Sequence, residues 1–286
     1  MPDPLSTLLD LLRLERIEEN LFRGASQDLG WGRVYGGQVL GQALSAAGQT
    51  VPDGRPVHSL HAYFLRPGDP SLPVVYTVDP IRNGRSFTTR RVVAVQRGKA
   101  IFNLSASFHD GEPGFVHADP MPDAPPPESL KSSSELAEAW ARKLPEQFRA
   151  KAMSQGPIEI RPVDPVNPMK PHVTGPTRQA WFKAVDTLPD EPWVHRYLLA
   201  YASDFHFLTT TLQPHGVSWL TPGIQIASLD HAMWFHRPFR FDRWLLYQVH
   251  SPSASGARAL AHGHFFDQEG NLVASTTQEG LIRDRR

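Results

Sequence analysis

Apolar and polar residues alternate along four runs in the first third of the chain and along four more in its last third. Each set follows a helical pattern. The first set is HSLHAYFL, LPVVYTVDPIR, SFTTRRVVAVQ and AIFNLSASFH, separated by RPGDPS, NGR and RGK. Period two reads as half-buried strand, and Asn-Gly and Gly-Lys steps signal hairpins. The pattern therefore predicts an antiparallel meander. Ahead of it, VYGGQVLGQALSAAG predicts a helix over about 34–48 that contains Gly36, Gly37 and Gly41. Each interior glycine costs about 1 kcal/mol against alanine. A helix that keeps three needs its backbone very close to something, such as a sheet wrapped around it. Residues 5–17 fit a short amphipathic helix with Leu8, Leu9, Leu12 and Ile17 on one side.

The middle of the chain breaks this rhythm. Residues 111–127, GEPGFVHADPMPDAPPP, form a proline-rich connector without periodicity. A helical stretch follows over about 134–151, then short strand-like runs at 158–163 and 178–185. The last third repeats the first: a helical run, HRYLLAYASDFHFLTTTLQ, then IQIASLDHAMWFH, WLLYQVH, ARALAHGHFFD and LVASTTQEGLI. Placing Phe64-Leu65-Arg66-Pro67 on Phe235-His236-Arg237-Pro238 also puts Tyr76 on Tyr247 and Val78 on Val249. Each half is a helix followed by four antiparallel strands. A sheet curled round one long helix is a hotdog fold, so the expected class is α+β. Two antiparallel sheets would lie edge to edge, each around a central helix, as a double hotdog. The expected division is an N-terminal hotdog over 1–110, a proline-rich and helical linker over 111–157, and a C-terminal hotdog over 158–286.

Composition narrows the function classes. The 29 basic and 29 acidic residues cancel, which gives no general attraction to nucleic acid or anionic lipid. No apolar run reaches membrane-spanning length, and the N-terminus lacks the basic lead of a signal peptide. The absence of cysteine removes disulfides, thiolate nucleophiles and Cys-zinc sites. The C-terminal Arg283-Asp284-Arg285-Arg286 is no peroxisomal address. A cytoplasmic enzyme or binding protein is the expectation.

Three polar residues stand out because their apolar neighbours call for a partner. Asp204 sits in YASDFHFL, inside the second helical run, where Asp is a poor helix residue. It reads either as an exposed acid on the wet side or as a partly buried carboxylate whose raised pKa suits it to act as a base toward water. The corresponding first-half helix has no acid. Gln278, in LVASTTQEG, shares a strand face with Leu272, Ala274 and Thr276 and reads as an inward amide or a rim residue. Ser228 aligns with Val57 and reads as a buried serine bonded to a carbonyl. No G-x-S-x-G elbow supports it as a nucleophile. Period two also places His231 on the opposite face from Ser228. Elsewhere, His262 and His264 share a strand face without a third metal ligand, and GWGRVYGG lacks the β-α-β setting of a dinucleotide loop. Arg82, Arg85, Arg90 and Arg91 form a basic cluster that reads as a solvated strand edge or as a phosphate contact.

The stretches VYGGQVLGQAL, LHAYFLRPGD, NGRSFTTRRVVAVQRGKAIFNLSASF, YASDFHFL and LDHAMWFHRPF, with the tail over 253–280, give the chain a further character. Together they resemble the type II acyl-CoA thioesterase family, the double-hotdog enzymes, over nearly the whole length. The resemblance implies a catalytic Asp on the second central helix, a Thr or Ser at the head of the next strand, and a Gln on the last strand. These fall on Asp204, Ser228 and Gln278, with Ser228 where other members carry Thr. It implies hydrolysis of acyl-CoA to fatty acid and coenzyme A by a water that the trio holds, with no metal and no cofactor. Gly36 and Gly37 are candidate oxyanion donors, and Arg85 and Arg90 candidate substrate contacts. A homodimer or higher even assembly is expected. Two other readings are a hotdog protein that binds acyl-CoA or acyl-carrier thioesters without hydrolysing them, and a dehydratase using a helix His. His206 is placed poorly on the helix to work with Asp204 for the latter.

Overall fold

The computed structural model describes residues 3–52, 55–140 and 156–286. The helix α1, Pro4–Leu12, starts on an Asp3 cap whose carboxylate accepts the Ser6 N–H, and it buries Leu5, Leu8, Leu11 and Leu12. It stops five residues before the expected end. Glu15–Glu18 (β1) and Leu21–Gly24 (β2) instead pair as a hairpin, through Asn20 at φ 60°, and Ile17 is 47% exposed on the edge strand. The run ERIEEN satisfies helical spacing, but its charges alternate equally well along an edge strand.

The helix α2, Gly36–Gly48, agrees with the glycine-rich pattern. The strands β3 (Val57–Phe64), β4 (Val74–Asn83), β5 (Phe87–Gln96) and β6 (Lys99–His109) follow. They do not form a simple meander. Strands β4, β5 and β6 are consecutive neighbours, but β3 leaves β4 and pairs with β6. The connection over 65–73 carries the chain across, and this puts β3 at the molecular centre. Residues 133–140 form α3; the rest of the helix expected to about 151 lies outside the described residues.

The second half contains β7 (Ile158–Pro162), β8 (Thr177–Ala184), α4 (Pro192–Ser203) and α5 (Phe207–Leu212). It continues with β9 (Ile224–Ser228), β10 (Asp230–Phe235), β11 (Leu245–Ser255), β12 (Arg258–Asp267) and β13 (Leu272–Asp284). The single helix expected over 195–213 is broken. Asp204 caps α4, and His206 takes a left-handed φ of 64° before α5 begins. The broken turn is held by the His206 carbonyl, which accepts the hydroxyls of Thr209 and Thr210.

Both halves join as one antiparallel sheet, thirteen strands among the described residues, with β3 beside β10 at the seam. The architecture is a double hotdog. The two halves repeat each other at atomic detail. Leu65 and Arg66 N–H both donate to the Ile101 carbonyl, as His236 and Arg237 N–H do to Val273. The Arg66 guanidinium donates to the Ala100 carbonyl and that of Arg237 to the Leu272 carbonyl. Tyr76 and Tyr247, matched by the same offset, are both fully buried.

Gly37 and Gly41 of α2 face the second central helix rather than the sheet. A Cβ on Gly37 would collide with the Tyr201 carbonyl, and one on Gly41 would sit 3.2 Å from that of Tyr197. The two central helices therefore pack backbone to backbone, which brings the start of α2 against the end of α4. One apolar core runs through both helices, with Leu40, Ala43 and Leu44 of α2 and Leu198, Leu199 and Ala202 of α4 fully buried.

Candidate active site

Asp204 sits where these two helix ends meet. Its Oδ2 accepts the Gly37 N–H at 3.1 Å, and a Cβ on Gly36 would lie 2.5 Å from the same oxygen. The carboxylate thus faces the positive end of α2 while ending α4, whose own C-terminus disfavours negative charge. Protein packed round it removes water and pushes its carboxyl up to about 7. Hydrogen bonding from Gln278, Gly37 and Ser228, together with the Arg33 charge, offsets only part of that rise. A carboxyl titrating there is ionised in about half the molecules at neutral pH, and its anion is basic enough to accept a proton from water.

Ser228 and Gln278 reach this point because the strand is bulged. Ser228 pairs with Gly280, but Ala232 pairs with Thr277. Three residues on one strand therefore oppose two on the other. The Leu229 N–H donates to the Glu279 carbonyl, and the Glu279 N–H turns to the Asp230 carboxylate at 2.7 Å. Across such a bulge the faces change parity. Ser228 and His231 consequently point the same way, contrary to the opposite faces that unbroken alternation gives them.

Both meet the Gln278 carboxamide. Its Nε2 donates to Ser228 Oγ at 2.8 Å, and its Oε1 lies 2.8 Å from His231 Nδ1. His231 is fully buried, and desolvation pulls it down to about 4, so it is neutral. A neutral ring facing a carbonyl oxygen must carry its proton on Nδ1. That leaves Nε2 as an acceptor 3.0 Å from the Ser203 hydroxyl, whose single proton it shares with the Ala200 carbonyl at 2.9 Å. The chain Ser203, His231, Gln278, Ser228 thus has a direction. It fixes which end of the amide faces Ser228 and leaves the serine hydroxyl and the second amide N–H to donate toward Asp204. His231 was visible in the sequence as a polar residue in an apolar strand, but the bulge that recruits it was not.

The three polar residues singled out from the sequence therefore stand together, with Asp204 and Ser228 on the wall of a cleft of about 770 Å³. Gly36 borders the cleft, while the Gly37 N–H is already taken by Asp204. Phe64, Leu65, Phe205, Ile224 and Ile226 give the cleft apolar walls, and Arg33 and Arg66 stand along it as cations. The two arginines expected as substrate contacts lie elsewhere. Arg90 is buried, and its guanidinium is spent on Thr50, Asn83 and the Arg82 and Thr89 carbonyls. Arg85 sits in the β4–β5 turn, where its carbonyl accepts from Arg55. Neither borders the cleft. His262 and His264 bond to Thr277 and Ser275 on the neighbouring strand. Among the described residues no cluster of three or more His, Asp or Glu could hold a metal ion.

Comparison with known proteins points one way. The family model described as acyl-CoA thioesterase matches residues 148–281, and the model for the acyl-CoA thioesterase N-terminal domain matches 26–109. The chain is 43% identical over 283 residues to acyl-CoA thioesterase 2 of Haemophilus influenzae, covering 99% of each chain. It is 42% identical over 281 residues to human acyl-coenzyme A thioesterase 8, covering 96% of this chain and 88% of the human one. Among solved structures, an acyl-CoA thioesterase II from Mycobacterium marinum superimposes with a TM-score of 0.76 at 42% identity, covering 96% and 97% of the two chains.

Proposed function

The chain belongs to the acyl-CoA thioesterase family, and from that premise we propose that Asp204, Ser228 and Gln278 hold and activate the water that cleaves the thioester. The observation that carries this reading is the Asp204 carboxylate, raised to about 7 beside two oriented side-chain donors. A water in this corner donates one hydrogen bond to Asp204 and the other to Ser228 Oγ. It accepts the Gln278 N–H that otherwise turns to Asp204 and keeps one lone pair for the carbonyl carbon. As the new C–O bond forms, Asp204 takes the water's proton. As the C–S bond breaks, that proton passes to the departing sulfur, and the products are a fatty acid and coenzyme A. Positioning of this kind replaces a bimolecular encounter with water by a preset one.

The Gly37 N–H serves Asp204, which leaves the Gly36 N–H and the positive end of α2 for the developing oxyanion. The apolar walls suit an acyl chain, and Arg33 and Arg66 suit the phosphates of coenzyme A at the mouth. No acyl-enzyme is needed: Ser228 accepts from Gln278, and His231 is turned toward that same amide rather than toward the hydroxyl as a base.

The test is the fate of oxygen. A single turnover in ¹⁸O-water should label the released fatty acid and leave the Asp204 carboxylate unlabelled. Label in Asp204 would indicate an anhydride intermediate and overturn the scheme. The competing reading as a non-hydrolytic binding protein would require no thiol release from any acyl-CoA.

A further inference from the structure

The cleft has a counterpart at the other end of the two central helices. The offset that matches the halves sends Pro67, which borders the cleft, to Pro238, and Ser228 to Val57. The end of α2, capped by Gln49, corresponds to the end of α4, capped by Asp204. Pro238, Val57 and Gln49 all line a single cavity of about 620 Å³, within the roughly 300–1,000 Å³ usual for small-ligand sites. The start of α4 forms part of its wall, as the start of α2 does in the cleft. At a rise of about 1.5 Å per residue, the length of α4 separates the two sites by roughly 18 Å.

The duplicate has lost the chemistry and kept the pocket. Val57 replaces the Ser228 hydroxyl and Gln49 replaces the carboxylate. The strand register puts Ala106 where Gln278 stands, because Ser105 opposes His61 as Thr277 opposes Ala232. No water could be activated there.

What it offers instead is a cation among apolar walls. Among the described residues no acid lines the cavity, and of its three arginines Arg55 is held by Asp110 at 2.9 Å while Arg13 lies 3.9 Å from Asp10. Arg196 has no acid within ion-pair distance among the described residues. Its buried Nε has no acceptor, and its Nη1 reaches only the Pro192 carbonyl at 3.5 Å. Desolvation already holds this guanidinium below its ordinary range. An unanswered buried donor of this kind is costly unless a ligand supplies the acceptor. It sits in the first turns of α4, where the helix end also favours an anion.

We propose that this cavity is a second, non-hydrolytic site for a fatty carboxylate, the chemical class of the reaction's product. Arg196 takes the carboxylate, and Val57, Phe108, Trp193 and Pro238 line the chain. The site stands on its own lining and does not depend on the water-activation scheme. A bound carboxylate supplies the acceptor that Arg196 Nε lacks, and the apolar tail covers wall that is otherwise open to solvent.

The test is equilibrium dialysis of labelled dodecanoate against the full chain as wild type, Arg196→Leu and Trp193→Asp. Thiol release from dodecanoyl-CoA is measured on the same preparations. The first variant removes the cation. The second sets a carboxylate, like in charge to the ligand's, beside that cation, at a first-turn position where an acid supports the helix and so preserves the fold. The wild type should bind a dodecanoate whose affinity falls by at least about tenfold in both variants, as loss of a charged hydrogen bond implies. Thiol release should be the same in all three proteins. Identical isotherms in wild type and Trp193→Asp overturn the proposal even if Arg196→Leu fails to fold. So does a loss of binding that tracks a loss of thiol release, because the bound dodecanoate would then lie in the catalytic cleft.

Discussion

At Asp204 the demands of folding and of chemistry oppose each other. The carboxyl titrates at about 7 in the folded chain and near 3.8 when solvated. Between those values the native state binds a proton that the unfolded state lacks, so stability falls as pH rises across the window. Asp204→Asn should therefore be more stable than wild type at pH 8, by an amount on the order of 1–4 kcal/mol, and the gap should close as pH falls toward 4. Urea melts at both ends of the window read this directly. His231 acts through Gln278. In His231→Leu the amide oxygen loses its buried donor and the carboxamide is free to turn. The variant should lower kcat by about 10- to 100-fold with KM nearly unchanged, in line with a buried hydrogen bond of roughly 1–3 kcal/mol. An equal rise in KM would indicate a wider collapse. Arg33→Gln removes a charge that favours ionised Asp204. It should shift the pH–rate midpoint upward while raising KM for acyl-CoA, as steady-state profiles would show. At this scale the sequence was informative where composition was out of place: a carboxylate, a hydroxyl and an amide among Phe, Leu and Ile. It was uninformative about Arg33 and Arg66, because exposed arginines are common and nothing local marks these two.

Elements supply the geometry that those residues use. The α2 glycines are needed because two helix backbones touch, and the touching point is the active site. Gly37→Ala places a methyl against the Tyr201 carbonyl, so the helices must separate and the Gly37 N–H must leave Asp204. The variant should lose about 1–3 kcal/mol of stability, as overpacked cores do. It should also lose more activity than its residual fold explains, measured as thiol release per folded molecule. From sequence the glycines signalled close approach, but the partner inferred was the sheet. The length of α2 and of most strands followed from periodicity; the early end of α1 and the two interruptions at the site did not. The α4 break at Asp204 and the bulge at Leu229–His231 each depart from a regular period, and period is what the sequence displays. Both interruptions lie at the site, where regular geometry would have pointed Asp204 or Ser228 away from the cleft.

Over the whole molecule, one duplicated unit serves two purposes. The second half carries Asp204, Ser228 and Gln278, while the first supplies Gly37, Arg33 and Phe64 to the same corner. Residues 156–286 produced alone should thus release no thiol from acyl-CoA despite holding the full trio. They would also expose β10 as an unpaired edge and should self-associate on a sizing column. In the full chain, β1 and β7 are the outer edges of the sheet. Open edges of this kind can pair with a second copy, and sedimentation of the full chain would test the even assembly expected from the resemblance. Duplication was legible from the order of elements and a few matched residues. The strand order was not, because β3 and β10 meet through a crossing that no local pattern records.

The account stands on the ionisation of Asp204, so the most direct measurement is thiol release from a medium-chain acyl-CoA across pH 5 to 9, for wild type and Asp204→Asn together. Wild-type kcat/KM should rise with pH through a midpoint near 7, the value to which burial raises this carboxyl. The Asn variant should fall by about 10²–10⁴-fold, the usual worth of a general base, and lose that inflection. Equal turnover in the two proteins, or an inflection near 7 that survives in Asp204→Asn, would contradict the account.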